Sequence, residues 1–292
     1  MDEHQVMVER FEQQRPRLKA VAYRMLGSAT EADDALQEAW LRVSKADTSG
    51  VENADGWLTT LTARVCLNML RSRRTHPEEP LEPSVPDPIV TRDVADPGDE
   101  VVLADSVGLA LLVVLEMLDP AERLAFVLHD MFAVPFDEIA PMVERSPEAT
   151  RQLASRARRR VHGVEPPPDA DLPRQRTVVD AFFAAARGGD FDALIAVLDP
   201  DVVLRSDGGI RRPIASVVVR GAEHVASRAM TFAMPRAELH AVRMNGEAGV
   251  VVVSNGRVLS VMGFTVRDGR ILAIDVLADP ERLDALDLSA VD

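Results

Sequence analysis

"FDEIAPMVERSPEATRQLASRARRRV", residues 136–161, decides how this chain is read. Ser146 followed by Pro147 is a helix start, an N-cap with proline at the first helical position. The stretch before it, "FDEIAPMV", predicts a short helix, and "ERS" a tight turn, so the whole has the layout of a helix-turn-helix. At 100° per residue, Thr150, Leu153, Ala154, Ala157 and Val161 share one side of the second helix, where they would pack against Ile139, Met142 and Val143. The opposite side presents Glu148, Gln152, Ser155, Arg156 and Arg159, with Arg151 on its flank. These are the groups a major-groove helix uses: arginine for guanine edges and phosphates, glutamine for base edges, serine for adaptable bonds. The amides of the helix N-terminus add a phosphate site. A solvated basic face is the competing reading, but it does not call for a preceding short helix and turn.

The charge distribution sharpens the point. Five arginines lie between Arg151 and Arg160 with no acid among them, in a chain of 292 residues whose formal net charge is -14. Binding answers to local potential rather than to the total. Much of the acidity is concentrated elsewhere: Pro77 to Asp105 holds nine acids against Arg92 alone, a net -8. This segment, "PEEPLEPSVPDPIVTRDVADPGDE" at its centre, is expected to be a mobile or extended linker, because its prolines block helices and it has little apolar area to bury. Its charge could lie over the arginine helix and compete with DNA. A second linker, "GVEPPPDADLP", carries a proline triplet that should run as a semi-rigid polyproline segment. The chain thus divides into helical blocks at 1–76 and 105–163, linkers at 77–104 and 164–173, and a third block at 174–292.

Hydrophobic residues at 47% and charged residues at 27% describe a soluble globular protein with about two or three domains. The lone cysteine, Cys66, has no internal partner, and the N-terminal residues do not have the pattern of a signal peptide, so a cytoplasmic location is expected. The longest apolar run, "VGLALLVVL", is too short to cross a membrane, and none is expected as a partner.

In the first block, "TEADDALQEAWLRVSK" predicts a helix capped by Thr30 with Asp33 at its third position, burying Ala32, Leu36, Ala39, Trp40 and Val43. Its outer face carries Asp34, Gln37, Glu38, Leu41 and Arg42; periodicity alone leaves a solvated face and a partner surface equally open. In "VENADGWLTTLTARVCLNMLRSRRTH", Trp57, Leu58, Leu61, Val65 and Leu70 fit a buried stripe, and Arg64, Asn68, Arg71, Arg73 and Arg74 a polar and basic remainder. The third block begins with two amphipathic helices split at Gly188-Gly189 and a strand starting near Asp201. Apolar runs follow, separated by "NGE", "NG" and "DGR", each a hairpin turn. Two all-α helical domains followed by an α+β domain, helices against a curved antiparallel sheet, is the expected fold class.

Several of these stretches resemble a known family. "ADDALQEAWLRV" and "GWLTTLTARVCLNMLRSRR" resemble region two of bacterial sigma factors of the extracytoplasmic-function group, and "LDPAERLAFVLHDMFAVPFDEIAPMVERSPEATRQLASRARRRV" resembles their region four. "VVDAFFAAARGGDFDALIAVLDPDV" is similar to a SnoaL-like domain, which points to the subgroup with a fused C-terminal extension. The resemblance implies core RNA polymerase and promoter DNA as partners. It implies that Asp34, Gln37, Glu38, Leu41 and Arg42 dock on the clamp helices of the polymerase's largest subunit. It further implies that Asn53, Trp57, Arg64, Asn68, Arg71 and Arg74 engage the melted -10 element, and that Glu148, Arg151, Gln152, Ser155, Arg156 and Arg159 read the -35 element. The chain departs from the family in its linker, which lacks the usual aromatic motif, in "SDGGI" at the glycine-rich loop, and in "ADPERL" at the terminal motif.

SnoaL-like domains include enzymes that use carboxylate and histidine pairs. Asp180, Asp207, His224, His240 and Asp275 are the residues of the right type here, and acid–base work requires that they converge on one pocket. No catalytic residue, metal site or cofactor is assigned. The tail is expected to be a regulatory module with room for a small-molecule ligand, acting in cis with no obvious need for a separate anti-sigma factor. Two other readings stay open: a helix-turn-helix regulator that works without polymerase, and a SnoaL-like enzyme fused to DNA-binding domains.

Overall fold

The computed structural model describes residues 3–46, 48, 50, 51, 53–75, 85–92, 108–162, 171–209, 212 and 215–291. They form two compact units, one from Met1–Glu78 with Leu111–Glu165, the other from Glu79–Ala110 with Pro166–Asp292.

The first unit is helical. It opens with α1 (Glu3–Leu26), α2 (Ala29–Val43) and α3 (Ala54–Thr75). Gly27, at φ +75°, ends α1 in the left-handed region where a side chain is costly. That turn leaves Ser28 extended, and its hydroxyl accepts from the Glu31 amide, so Ser28 caps α2 and the expected cap, Thr30, lies inside the helix. The buried face of α2 is Ala32, Ala35, Leu36, Ala39 and Val43. Trp40, only half-buried, meets the Phe11 ring at 5.2 Å. On α3 the buried stripe is rotated from the expected one. Leu58, Val65 and Leu70 are inside, but Trp57 and Leu61 are half-buried, while Thr62, Ala63, Cys66 and Leu67 turn inward. Small residues on that side allow neighbouring helices to approach closely. Burial pushes the Cys66 thiol up to about 12, so it is a core group rather than a nucleophile.

The same unit continues through α4 (Leu109–Glu116), from Leu111 onward, α5 (Pro120–Phe126) with a wider turn at Val127–Met131, α6 (Phe136–Ile139) and α7 (Pro147–His162). Arg123, buried on α5, donates from Nη1 to the carbonyl of Met25 at the end of α1, at 2.9 Å. Arg17 reaches the Phe132 carbonyl at 3.4 Å, and Arg24 lies over the Phe132 ring at 4.6 Å. These bonds join the two helical segments into one body.

The second unit is α+β. After α8 (Leu172–Gly188) and α9 (Phe191–Val197) come β2 (Leu198–Asp207), β3 (Val217–Arg220), α10 (Ala222–Phe232), β4 (Glu238–Met244), β5 (Glu247–Ser254), β6 (Arg257–Arg267), β7 (Arg270–Leu277) and α11 (Pro280–Ala285). Gly189, at φ +70°, closes α8 where the glycine pair was read as a break. The hairpins turn at Asn245-Gly246, Asn255-Gly256 and Asp268-Gly269, all at positive φ, as a type I′ turn requires. A first strand, β1 (Val90–Arg92), comes from within the acidic linker and pairs with β4 at the sheet's edge. The seven strands run β1-β4-β5-β6-β7-β2-β3, antiparallel except for β2 beside β7. The sequence signal for β1 was Ile89-Val90-Thr91, three β-branched residues in a row, overshadowed by the surrounding prolines and acids.

Alternate residues of these strands face opposite ways. Ala248, Val250, Val252, Phe264 and Ile274 pack on Val179, Phe182, Leu194 and Val225 of the helices. On the other face Val242, Met244, Val251, Val253, Val261 and Leu277 are covered by Leu283 and the C-terminal residues.

Candidate nucleic-acid interface

Helix α7 is seated by its inner face. Thr150, Ala154 and Ala157 are buried and Leu153 and Val161 of the same side half-buried, while Ile139, Met142 and Val143 of the preceding short helix and turn are buried. The Ser146 hydroxyl accepts from the Ala149 amide at 3.2 Å, the N-cap expected of it. Glu144 turns the chain at φ 56°.

On the outer face Glu148, Arg151, Gln152, Ser155, Arg156 and Arg159 are all exposed. The arginines divide by what holds them. Arg156 Nε and Arg160 Nη1 donate to the two oxygens of Glu122, at 2.8 and 2.7 Å. The Glu122 side chain is only 4% exposed, whereas those of Arg156 and Arg160 are about half exposed, at 47% and 52%. A buried carboxylate thus anchors two arginine side chains that stay about half exposed. Arg158 pairs with Asp130 at 2.5 Å. Arg151 lies over the Phe136 ring at 5.4 Å, and that ring stacks on His129. Arg159 makes no ion pair among the described residues. Glu122 and Asp130 escaped the sequence reading because they lie 34 and 28 residues from their partners. Of the acidic linker, only Asp87 among the acids falls within the described residues, and it pairs with Arg282; the linker's other acids, expected to cover the arginine helix, lie outside the described residues.

The exposed side of α2 carries Asp34, Gln37, Glu38, Leu41 and Arg42 together. Arg42 and Glu38 bond along the helix at 2.9 Å, and Leu41 is 45% exposed, an apolar group amid charges. On α3, Arg64, Asn68 and Arg71 are exposed. Asn53 caps the helix, its Oδ1 accepting from the Gly56 amide at 3.0 Å, and Trp57 is half-buried. The Arg74 side chain lies outside the described residues. Arg71 approaches Glu144 at 3.9 Å, and Asn53 borders a cleft of about 200 Å³ shared with Phe132, Pro135 and Glu138. Part of the basic α3 surface therefore faces the helix-turn-helix segment.

The five acid–base candidates of the tail do not converge. Asp180 and His224 are exposed, and the ion-pair partner of His240 among the described residues is Glu238, at 3.6 Å. Asp275, 2% exposed, accepts from Arg205 at 3.0 Å. Asp207 accepts from Arg282 at 2.6 Å and from the amides of Gly209 and Val85 at 3.0 and 3.3 Å. Arg282 also donates to Asp87 and to the Val85 carbonyl. The "SDGGI" and "ADPERL" stretches, which depart from the family, therefore meet each other through Asp207 and Arg282. These carboxylates fix structure on the sheet face opposite the one that packs on α8, α9 and α10.

Burial drives the Asp275 carboxyl above the ordinary 3.8, against the pull of Arg205. A raised folded-state value means that stability is lost as pH climbs through it. Denaturant melts from pH 4 upward should therefore show the wild type losing ground steadily to Asp275→Asn, whose neutral amide does not titrate. A pH-independent difference would contradict this. Among the described residues no group of His, Cys, Asp and Glu is placed to hold a metal ion, and no helix is long and apolar enough to cross a membrane.

A capped, seated helix with outward arginines, beside a three-helix module bearing a mixed charged and apolar face, is the arrangement expected of an initiation factor of the sigma type. The sequence comparisons agree with that class. Residues 10–76 match the Sigma-70 region 2 family and residues 108–161 the Sigma-70 region 4 family. The chain is 37% identical to the ECF RNA polymerase sigma factor SigJ of Mycobacterium tuberculosis, over 94% of this chain and 92% of that protein. It is 34% identical to the probable ECF RNA polymerase sigma factor SigI of the same organism, over 98% of each. The crystal structure of the M. tuberculosis SigJ superposes with a TM-score of 0.76 at 34% identity, covering 97% of this chain and all of that one. The chain belongs to the extracytoplasmic-function sigma factors of RNA polymerase, with an α+β C-terminal domain.

Proposed function

We propose that this sigma factor reads its promoter through Glu148, Arg151, Gln152, Ser155, Arg156 and Arg159 at the -35 element and through the α3 surface at the -10 element, and that the tail modulates its activity in cis. The observation that carries the reading is the division of labour on α7. Its apolar side is buried in the helix-turn-helix, and Glu122 preorganises two guanidinium groups without covering them. Preorganised donors lose less entropy on binding. Asp34, Gln37, Glu38, Leu41 and Arg42 form the polymerase-facing surface, with the exposed leucine as its apolar anchor.

Engaging both promoter elements requires the helical unit to open. Two elements some 25 base pairs apart are separated by roughly 85 Å at ~3.4 Å per pair, whereas a compact body of this size has a radius of gyration of roughly 14 Å. The closed unit is therefore the form held in reserve, and the Arg123–Met25 bond and the Arg71–Glu144 pair are interactions that polymerase and promoter must replace. The tail's role in cis is supported by the linker between the two helical modules, which supplies β1 to the tail's own sheet.

In-vitro transcription with core polymerase tests both parts. The full chain should direct initiation from a two-element promoter, and a chain ending near Val164 should do so with at least a threefold different yield. Failure of both chains to support initiation would end the promoter reading. Equal yields would end the cis-regulatory one.

A further inference from the structure

The tail holds a cavity of about 350 Å³, bounded by α8, α10 and the inner face of the sheet. That is the lower end of the range for small-molecule sites, roughly 300–1,000 Å³. Its wall is apolar, with Phe182, Phe183, Leu204, Val252, Met262 and Val276 among the lining side chains. Among the described residues, the polar side chains in the lining are Ser206, Ser260 and three arginines, Arg187, Arg212 and Arg228, with no carboxylate and no histidine. At the rim, Phe232 and Met234 are exposed by 54% and 46%, apolar surface that the core does not use.

Two of the three arginines bond to backbone carbonyls, and Arg228 lies over the Phe232 ring at 4.6 Å. Arg187 donates from Nη2 to the Ala237 carbonyl at 2.5 Å, and Arg212 from Nη1 to the Ala278 carbonyl at 3.5 Å. Each such bond leaves most of the five donors of a guanidinium group available. Arg187 is also solvent-exposed, so it stands where the apolar cavity meets water. A pocket of this make-up penalises a cation, which finds like charge, and it offers a neutral polar molecule few partners for its bonds. An anion with an apolar body satisfies both parts: the body leaves water and the head takes a bidentate bond from arginine.

We propose that this cavity binds an amphipathic monoanion, a carboxylate on an apolar body of roughly ten carbons, the size that suits a small pocket of this kind, with Arg187 receiving the head group. Such a ligand would supply the signal that the cis-regulatory reading calls for. The site stands without that reading, because binding is read on the protein itself and not on transcription.

The test uses the full chain with sodium decanoate, 1-decanol and decyltrimethylammonium, each below its micelle concentration, followed by calorimetric titration and thermal shift. Decanoate should bind saturably, decanol at least tenfold more weakly, and the cation not at all. Arg187→Met, at an exposed position, should weaken decanoate at least tenfold and leave decanol unchanged. Ala229→Phe fills the cavity from α10 and should abolish both; Ser260→Leu fills it from the sheet should the first variant fold poorly. Absence of saturable decanoate binding overturns the site. Equal binding of decanoate and decanol, or an Arg187→Met variant that binds decanoate like the wild type, overturns the anionic specificity. Saturable decanoate binding that leaves the yield of the in-vitro transcription assay unchanged would overturn the ligand as the regulatory signal and leave the site intact.

Discussion

Replacing Arg151 and Arg159 together by alanine should lower affinity for promoter DNA by roughly a hundredfold or more, since each arginine bond to a base or phosphate contributes ~1–3 kcal/mol. Both side chains are exposed, and neither belongs to the Glu122 anchor. Arg151 gives up only its stacking on the Phe136 ring, ~0.5–1 kcal/mol at an exposed site. The thermal transition of the helical unit should therefore hardly move while binding collapses. Salt titration separates phosphate from base recognition. The slope of log K against log salt falls by roughly one for each phosphate left without its arginine, whereas removing a bond to a base edge relaxes preference at one promoter position. Affinity reduced less than threefold, with the slope unchanged, would show that the outward arginines are a solvated surface.

Arg123→Met should separate stability from function. The methionine keeps most of the side-chain volume but removes the charged donor from the Met25 carbonyl, leaving that acceptor buried between α1 and α5. A bond from a charged group contributes about 1.5–3 kcal/mol, which for a unit of this size corresponds to a melting temperature lower by roughly 5–10 °C. Calorimetry should also show the two helical modules beginning to melt apart. If the closed unit must open on the promoter, the same variant should bind core polymerase at least as tightly as the wild type. A variant that loses stability and polymerase affinity together would mean that the Arg123–Met25 bond supports the active form instead.

Local features were legible in the sequence. The Ser146 cap, the inner face of α7, the glycine break after α8 and the three type I′ turns each depend on residues within one turn of one another. Their chemistry is complete in a short stretch of chain. The outward set on α7 was legible for the same reason, because helical periodicity alone divides its faces. Thr30 was misread as a cap because the deciding residue, Gly27, acts by bending the chain before it. The rotated stripe on α3 was missed because which small residues turn inward depends on the neighbouring helices.

What the sequence by itself determined is therefore the order of modules, the helix-turn-helix, the arginine-rich face and the α+β class of the tail. Only the tertiary structure decided that Glu122 grips Arg156 and Arg160, that Asp207 and Asp275 tie strands and termini together instead of converging on a pocket, and that a proline-rich acidic linker gives a strand to a sheet some 150 residues further on. The physical reason is range. Caps, turns and periodicity are set by neighbours along the chain, whereas a buried ion pair or an edge strand exists only where folding brings distant residues together and removes the water between them.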